Sequence, residues 1–181
     1  MVMTTLPDRA LTFAAKAHEG QRRKYTGEFY LTHVMEVCEI VRQHGGTEEM
    51  QAAALLHDTM EDTSVIYLEI KEAFGRDVAD MVSALTDDEE GNRATRKRLS
   101  RERLSAASAE VQTIKLADLI SNSRSIIERD PEFAKVYLRE KVALLLVLTK
   151  GDARLWNTAA AFIPSEYMNE ARENFSASDA R

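Results

Sequence analysis

The run Leu55-Leu56-His57-Asp58-Thr59-Met60-Glu61-Asp62-Thr63 constrains this chain more than any other segment, because it sets one imidazole and three carboxylates at the end of an apolar stretch. On a helix His57 and Glu61 lie one turn apart, as do Asp58 and Asp62. Carboxylates crowded on one face repel each other unless water or a cation reaches them. The preceding Gln51-Ala52-Ala53-Ala54-Leu55-Leu56 reads as a core helix, which argues against full solvation. A bound divalent metal is the simplest resolution.

The surrounding sequence is patterned as helix. Only three prolines and seven glycines interrupt long stretches of 3.6-residue periodicity, which predicts an all-α helical bundle. Helices are expected over about 7–19, 31–44, from a Thr47 N-cap to the acidic run, and over about 64–74, 77–85, 93–105, 107–128, 132–148 and 152–161. The glycine-bounded segment 20–27 reads as a loop. Gly45-Gly46 and Asp130-Pro131 read as stops, and the tail from Ser165 as weakly periodic and frayed after Asn174. With 181 residues and no repeat, low-complexity tract or linker, one domain is expected over 1–181, its core at roughly 7–162. The apolar last helices suit either closing that core or pairing two copies into a homo-oligomer.

Composition excludes several functions. No apolar run approaches the length of a membrane span, and the opening Met1-Val2-Met3-Thr4-Thr5-Leu6-Pro7 lacks the charged and apolar regions of a secretory signal. Cys38 is the single cysteine, which rules out an intrachain disulfide and suits a reducing cytoplasm. A net charge of −6 argues against coating nucleic acid. It leaves room for a small anionic ligand at a local basic cluster.

Four spaced residues are placed to converge on one metal. His33 sits near the start of the second expected helix, His57 and Asp58 end the third, and Asp118 is a polar interruption in Thr113-Ile114-Lys115-Leu116-Ala117-Asp118-Leu119-Ile120. Two imidazoles and two carboxylates form a mixed nitrogen–oxygen set suited to Mn²⁺, Fe²⁺ or Zn²⁺. With an open position, such a set lowers the pKa of a coordinated water for hydrolysis. Glu61 and Asp62, one turn on, are candidates to orient that water or carry its proton.

These residues also carry a resemblance. Arg23-Lys24-Tyr25-Thr26-Gly27-Glu28-Phe29-Tyr30-Leu31-Thr32-His33, His57-Asp58-Thr59-Met60-Glu61-Asp62-Thr63 and Lys115-Leu116-Ala117-Asp118…Asn122 resemble the hydrolase domain of the RelA/SpoT proteins, within the HD-domain metal phosphohydrolases. The stand-alone form of that domain is the small alarmone hydrolase. The resemblance spans roughly Leu11 to Ile127 and keeps the order of every motif.

The resemblance implies an HD-domain helical bundle that removes pyrophosphate from the 3′ position of ppGpp and pppGpp, usually with Mn²⁺, and so lowers alarmone levels in the stringent response. It implies His33, His57, Asp58 and Asp118 as metal ligands and Glu61 and Asp62 as the pair acting on water. Arg23, Lys24 and Asn122 are implied as nucleotide contacts, with Tyr30 at the family's tyrosine before the ligand histidine. Phe29 and Val34 stand where proline is common, and Met60 replaces the usual valine. Ser121 falls where an aromatic usually shapes the nucleotide pocket, which leaves guanine against adenine open.

Arg93, Lys97 and Arg101 fall on one helical stripe, fit to bind the substrate's 5′ phosphates. A solvated charged face is the competing reading. Two further functional readings keep the fold: a phosphatase for another nucleotide, such as the 2′-phosphate of NADPH, and a non-catalytic alarmone sensor. The sensor would normally carry eroded ligands, and here all four are present.

Overall fold

Strong N-caps punctuate the chain, and the helices follow them. The computed structural model describes residues 4–178. In chain order the helices are α1 (Leu6–Ala17), α2 (Tyr30–Gln43), α3 (Glu48–Leu56), α4 (Thr59–Asp62), α5 (Tyr67–Phe74), α6 (Arg76–Leu85), α7 (Arg93–Ala106), α8 (Ala109–Arg129), α9 (Pro131–Leu145), α10 (Ala153–Ala161) and α11 (Ser165–Ser178). Thr5 and Asp8 form a reciprocal capping box on α1. Thr47, Asn92, Ser108 and Asp130 each accept a backbone N–H in the first turn of α3, α7, α8 and α9. At the other end of α2, Gly45 takes a positive φ of 81° and turns the chain toward α3. Among the described residues there is no strand. A single antiparallel bridge between Arg22 and Phe29 closes the loop from α1 to α2.

Two helices organise the core. In α3 the run Ala52 to Leu56 is buried on every side, as expected of a helix apolar all round. Its alanines let α1 approach through Ala10 and Ala14, while α2 packs against it through Val34, Val37 and Val41. The 21-residue α8 runs beside them and buries Ile114, Leu116, Ala117, Leu119 and Ile120. Each fully enclosed leucine or isoleucine contributes about 1.5–3 kcal/mol over an exposed one, so the backbones that carry the motifs are held firmly.

The buried Gln112 of α8 ties the remaining helices in. It donates to the Leu104 carbonyl at 2.8 Å and accepts from the Lys150 N–H at 2.8 Å. Gly151 then passes so close to α8 that a Cβ there would lie 2.7 Å from the Leu116 side chain. A smaller cluster of Ile126, Ala134, Tyr137 and Leu138 joins α8 to α9.

The helix order matches expectation, with two differences. The acidic run does not continue the third helix, because α3 stops at Leu56 and a separate short helix α4 follows. The weakly periodic tail from Ser165 carries α11, which packs on α9. The expected fraying after Asn174 falls partly outside the described residues.

Candidate active site

The site begins where α3 breaks. In a continuing helix the Ala54 carbonyl would accept the N–H of Asp58. Here the His57 ring takes that acceptor instead, with Nδ1 at 2.8 Å. The Thr59 hydroxyl takes the Leu56 carbonyl at 2.7 Å. With these acceptors engaged, Asp58 adopts φ −100° and ψ −1°, and helical bonding restarts with the Asp62 N–H on the Asp58 carbonyl. The break turns His57 and Asp58 toward the same point, which an unbroken helix would not do.

Hydrogen bonds fix the tautomer of both histidines. Because His57 Nδ1 faces a carbonyl, it keeps its proton, so Nε2 is the nitrogen that can offer a lone pair to a cation. His33, from α2, places Nδ1 at 2.9 Å from the Ser121 hydroxyl of α8. That hydroxyl spends its own proton on Glu36 at 2.7 Å, so His33 is the donor and its Nε2 is likewise the nitrogen left to meet a cation. Both Nε2 atoms are buried, and neither has a hydrogen-bond partner.

Two carboxylates face those lone pairs. Asp118 Oδ1 lies 3.3 Å from His33 Nε2 and 3.7 Å from His57 Nε2. Asp58 Oδ2 lies 3.6 Å and 2.9 Å from the same two atoms. Donors held about 2.1 Å from a common ion stand roughly 3–3.6 Å apart, so His33, His57 and Asp58 are spaced to hold a divalent cation, with Asp118 beside both imidazoles.

The surroundings keep the carboxylates ionised. Burial alone would raise the pKa of Asp118, but the Lys115 ammonium, 2.9 Å from its Oδ2, and the histidines hold it well below the usual range. Burial likewise opposes ionisation of Asp58, and the histidines outweigh it. In return Asp58 and Asp118 lift His57 to about 10 against its burial, so a cation entering the site displaces protons. Tyr30 donates to Asp58 at 2.6 Å, and Asn122 donates to Asp118 at 2.6 Å. Burial and the neighbouring Asp58 raise the Tyr30 phenol, keeping it a donor.

Glu61 and Asp62 sit exposed at the rim. Glu61 accepts the Asp87 N–H at 3.1 Å, and partial removal from water raises its pKa. Asp62 receives the Gln21 amide at 3.3 Å, and Gln21 is itself held by the buried His18 at 2.6 Å. Sequence reasoning gave His18, Gln21 and Ser121 no role, because Gln21 and Ser121 act on partners 41 and 88 positions away and His18 acts only through Gln21.

The remaining predicted residues divide. Arg23 is largely buried and donates to Asn122 at 3.2 Å and Ser125 at 3.1 Å, so it braces α8 beside the centre. Lys24 points away, its ammonium 5.2 Å from the Tyr25 ring centroid and 5.9 Å from that of Phe133. The stripe on α7 is split. Arg93 is engaged by Glu140 through bonds of 2.7 and 2.9 Å, while Lys97 and Arg101 line a pocket against Lys115.

Known proteins resemble this chain in sequence and fold. The HD domain family matches residues 10–145. The guanosine-3′,5′-bis(diphosphate) 3′-pyrophosphohydrolase MESH1 of Xenopus tropicalis is 39% identical over 126 residues, covering 68% of this chain and 70% of that protein. A probable enzyme of the same activity from Synechocystis is 36% identical over 138 residues, which are 73% of this chain but 18% of the longer relative. Among solved structures, one described as a metazoan ortholog of SpoT that hydrolyzes ppGpp superimposes with a TM-score of 0.82 at 29% identity, covering 90% of this chain and 96% of that one.

Proposed function

We propose, since the chain belongs to the HD domain family in its MESH1-like branch, that it is a guanosine-3′,5′-bis(diphosphate) 3′-pyrophosphohydrolase. The observation that carries this reading is the pair of tautomer-locked histidines facing Asp58 and Asp118. In it, His33, His57, Asp58 and Asp118 hold Mn²⁺. When bound, the ion supplies Lewis-acid polarisation of a phosphoryl oxygen and makes water more acidic.

The protein's own groups do the rest. Glu61, with its raised pKa, takes a proton from the attacking water, and Asp62, steadied by Gln21, orients that water. The water oxygen bonds to the phosphorus on the 3′ oxygen, the bond to that oxygen breaks, and the oxygen leaves with a proton. The products are GDP or GTP and intact pyrophosphate. Tyr30 and Asn122 fix the metal-binding carboxylates Asp58 and Asp118 and border the nucleotide. Arg23 and Lys24, the latter beside Tyr25 and Phe133, border the nucleobase. Lys97 and Arg101 meet phosphate. Acting in the cytoplasm, such an enzyme lowers alarmone levels and restrains a starvation response.

The test is product analysis with metal-stripped protein, ppGpp and pppApp, with and without Mn²⁺. Mn²⁺-dependent pyrophosphate release is expected, the two rates ranking guanine against adenine. Asp58→Ala should lose metal and turnover together, whereas Glu61→Gln should keep metal and lose about 10²-fold or more in kcat. Orthophosphate release from NADPH in place of pyrophosphate release would favour the phosphatase reading. Nucleotide binding without turnover would favour a sensor.

A further inference from the structure

A second cluster of charge lies next to the metal centre, on the side away from the histidines. Lys97 and Arg101 of α7, Lys115 of α8 and Lys141 of α9 line a cavity of about 30 Å³, with Asp87 and Glu140 at its margin. This exceeds the roughly 10–15 Å³ that one water needs. It adjoins a cavity of about 220 Å³ that shares Asp87 and Lys97 and reaches Glu61.

The cations outnumber their partners. Glu140 is occupied by Arg93, and Asp87 by Arg103 and the Ser100 hydroxyl. Lys115 rests on Asp118. Among the described residues, Arg101 and Lys141 have no carboxylate or hydrogen-bond partner. Lys141 has only the face of Tyr137, 5.0 Å from the ring centroid. Burial, with the like charges of Lys115 and Lys97 adding to it, pushes Lys141 down to about 8. An ammonium withdrawn from water without a counter-charge is unfavourable, and an anion in this cavity would supply one.

Lys115 places that anion. Asp118 turns one oxygen to the histidines and the other to Lys115, so a single side chain separates the cavity from the metal centre. In a 3′-diphosphate whose first phosphoryl meets the metal centre, the second lies one bridging oxygen further on. We propose that the Lys97–Arg101–Lys115–Lys141 cavity is the subsite for the terminal phosphoryl of the substrate's 3′-diphosphate, with Lys141 and Arg101 setting preference for a 3′-diphosphate over a 3′-monophosphate. This rests on the hydrolase reading above and assigns these cations to the 3′ group rather than to the 5′ phosphates.

The test compares kcat/KM on ppGpp with that on guanosine 5′-diphosphate 3′-monophosphate. The ratio should fall at least tenfold in Lys141→Met and in Arg101→Gln, recover largely in Lys141→Arg, and leave Mn²⁺ affinity unchanged. An unchanged ratio, or equal losses on both substrates, overturns the subsite. Calorimetric binding of inorganic pyrophosphate to the Mn²⁺-loaded protein needs no turnover and separates the two readings. Tenfold weaker binding to Lys141→Met supports the subsite even if neither nucleotide is hydrolysed. Equal binding by wild type and variant overturns it, whatever the fate of the hydrolase reading.

Discussion

Ser121 shows how much one hydroxyl can decide. It stands where the resemblance leads one to expect an aromatic, and it serves the metal centre rather than a nucleobase. Accepting from His33 and donating to Glu36, it transmits a fixed proton position to the imidazole, and Arg124 holds Glu36 in turn at 3.0 Å. Partners of this kind are typically worth 10–100-fold in metal affinity. Ser121→Ala is therefore expected to weaken Mn²⁺ binding by about that factor in a calorimetric titration, because a buried N–H loses its acceptor. This role was not legible in the sequence, since His33 lies 88 positions away from Ser121. The four ligand candidates were legible because a motif order carries them. Lys141 was not, being one of three cations on α9 with no motif to single it out.

At the scale of elements, legibility follows local chemistry. Caps are local, so the start of α3 at Thr47 could be read directly, and the Met50 N–H reaches the Thr47 hydroxyl at 3.3 Å. Thr47→Ala should cost about 0.5–2 kcal/mol, seen as a melting temperature lower by several degrees with metal affinity unaltered. The break after α3 was not legible, because periodicity gives no sign of a His57 ring competing for the Ala54 carbonyl. The α7 stripe was legible as a face but not as a division of labour. Which of its cations stay unpaired depends on Glu140 and Asp87, two residues from other segments. The tail's helix was only faintly legible, because its pattern is weakly periodic and its packing partner is α9.

For the whole molecule, stability and function pull Lys141 in opposite directions. Its pKa is depressed to about 8 from 10.5. Between those values the unfolded chain binds a proton that the folded chain does not, so stability rises with pH across that window and is flat outside it. Each unit of the displacement corresponds to about 1.4 kcal/mol, giving an upper bound of roughly 3 kcal/mol for this half-buried group. Lys141→Met should accordingly raise the melting temperature at pH 7, with the gain shrinking as pH climbs toward 10.5. A gain that stayed constant with pH would show that packing, not charge, is responsible.

The tautomer locks on His33 and His57 have a consequence for how the protein meets its ion. Neither lock involves the ion: one partner is a carbonyl of the same helix, the other a hydroxyl of a core helix. The donor set is assembled by the fold before any metal arrives. Binding energy is then free to retain the ion rather than to order the chain, unlike small zinc modules that fold only when loaded. Loading becomes a reversible equilibrium on an intact scaffold, so the ion carried follows whichever suitable divalent cation its surroundings offer.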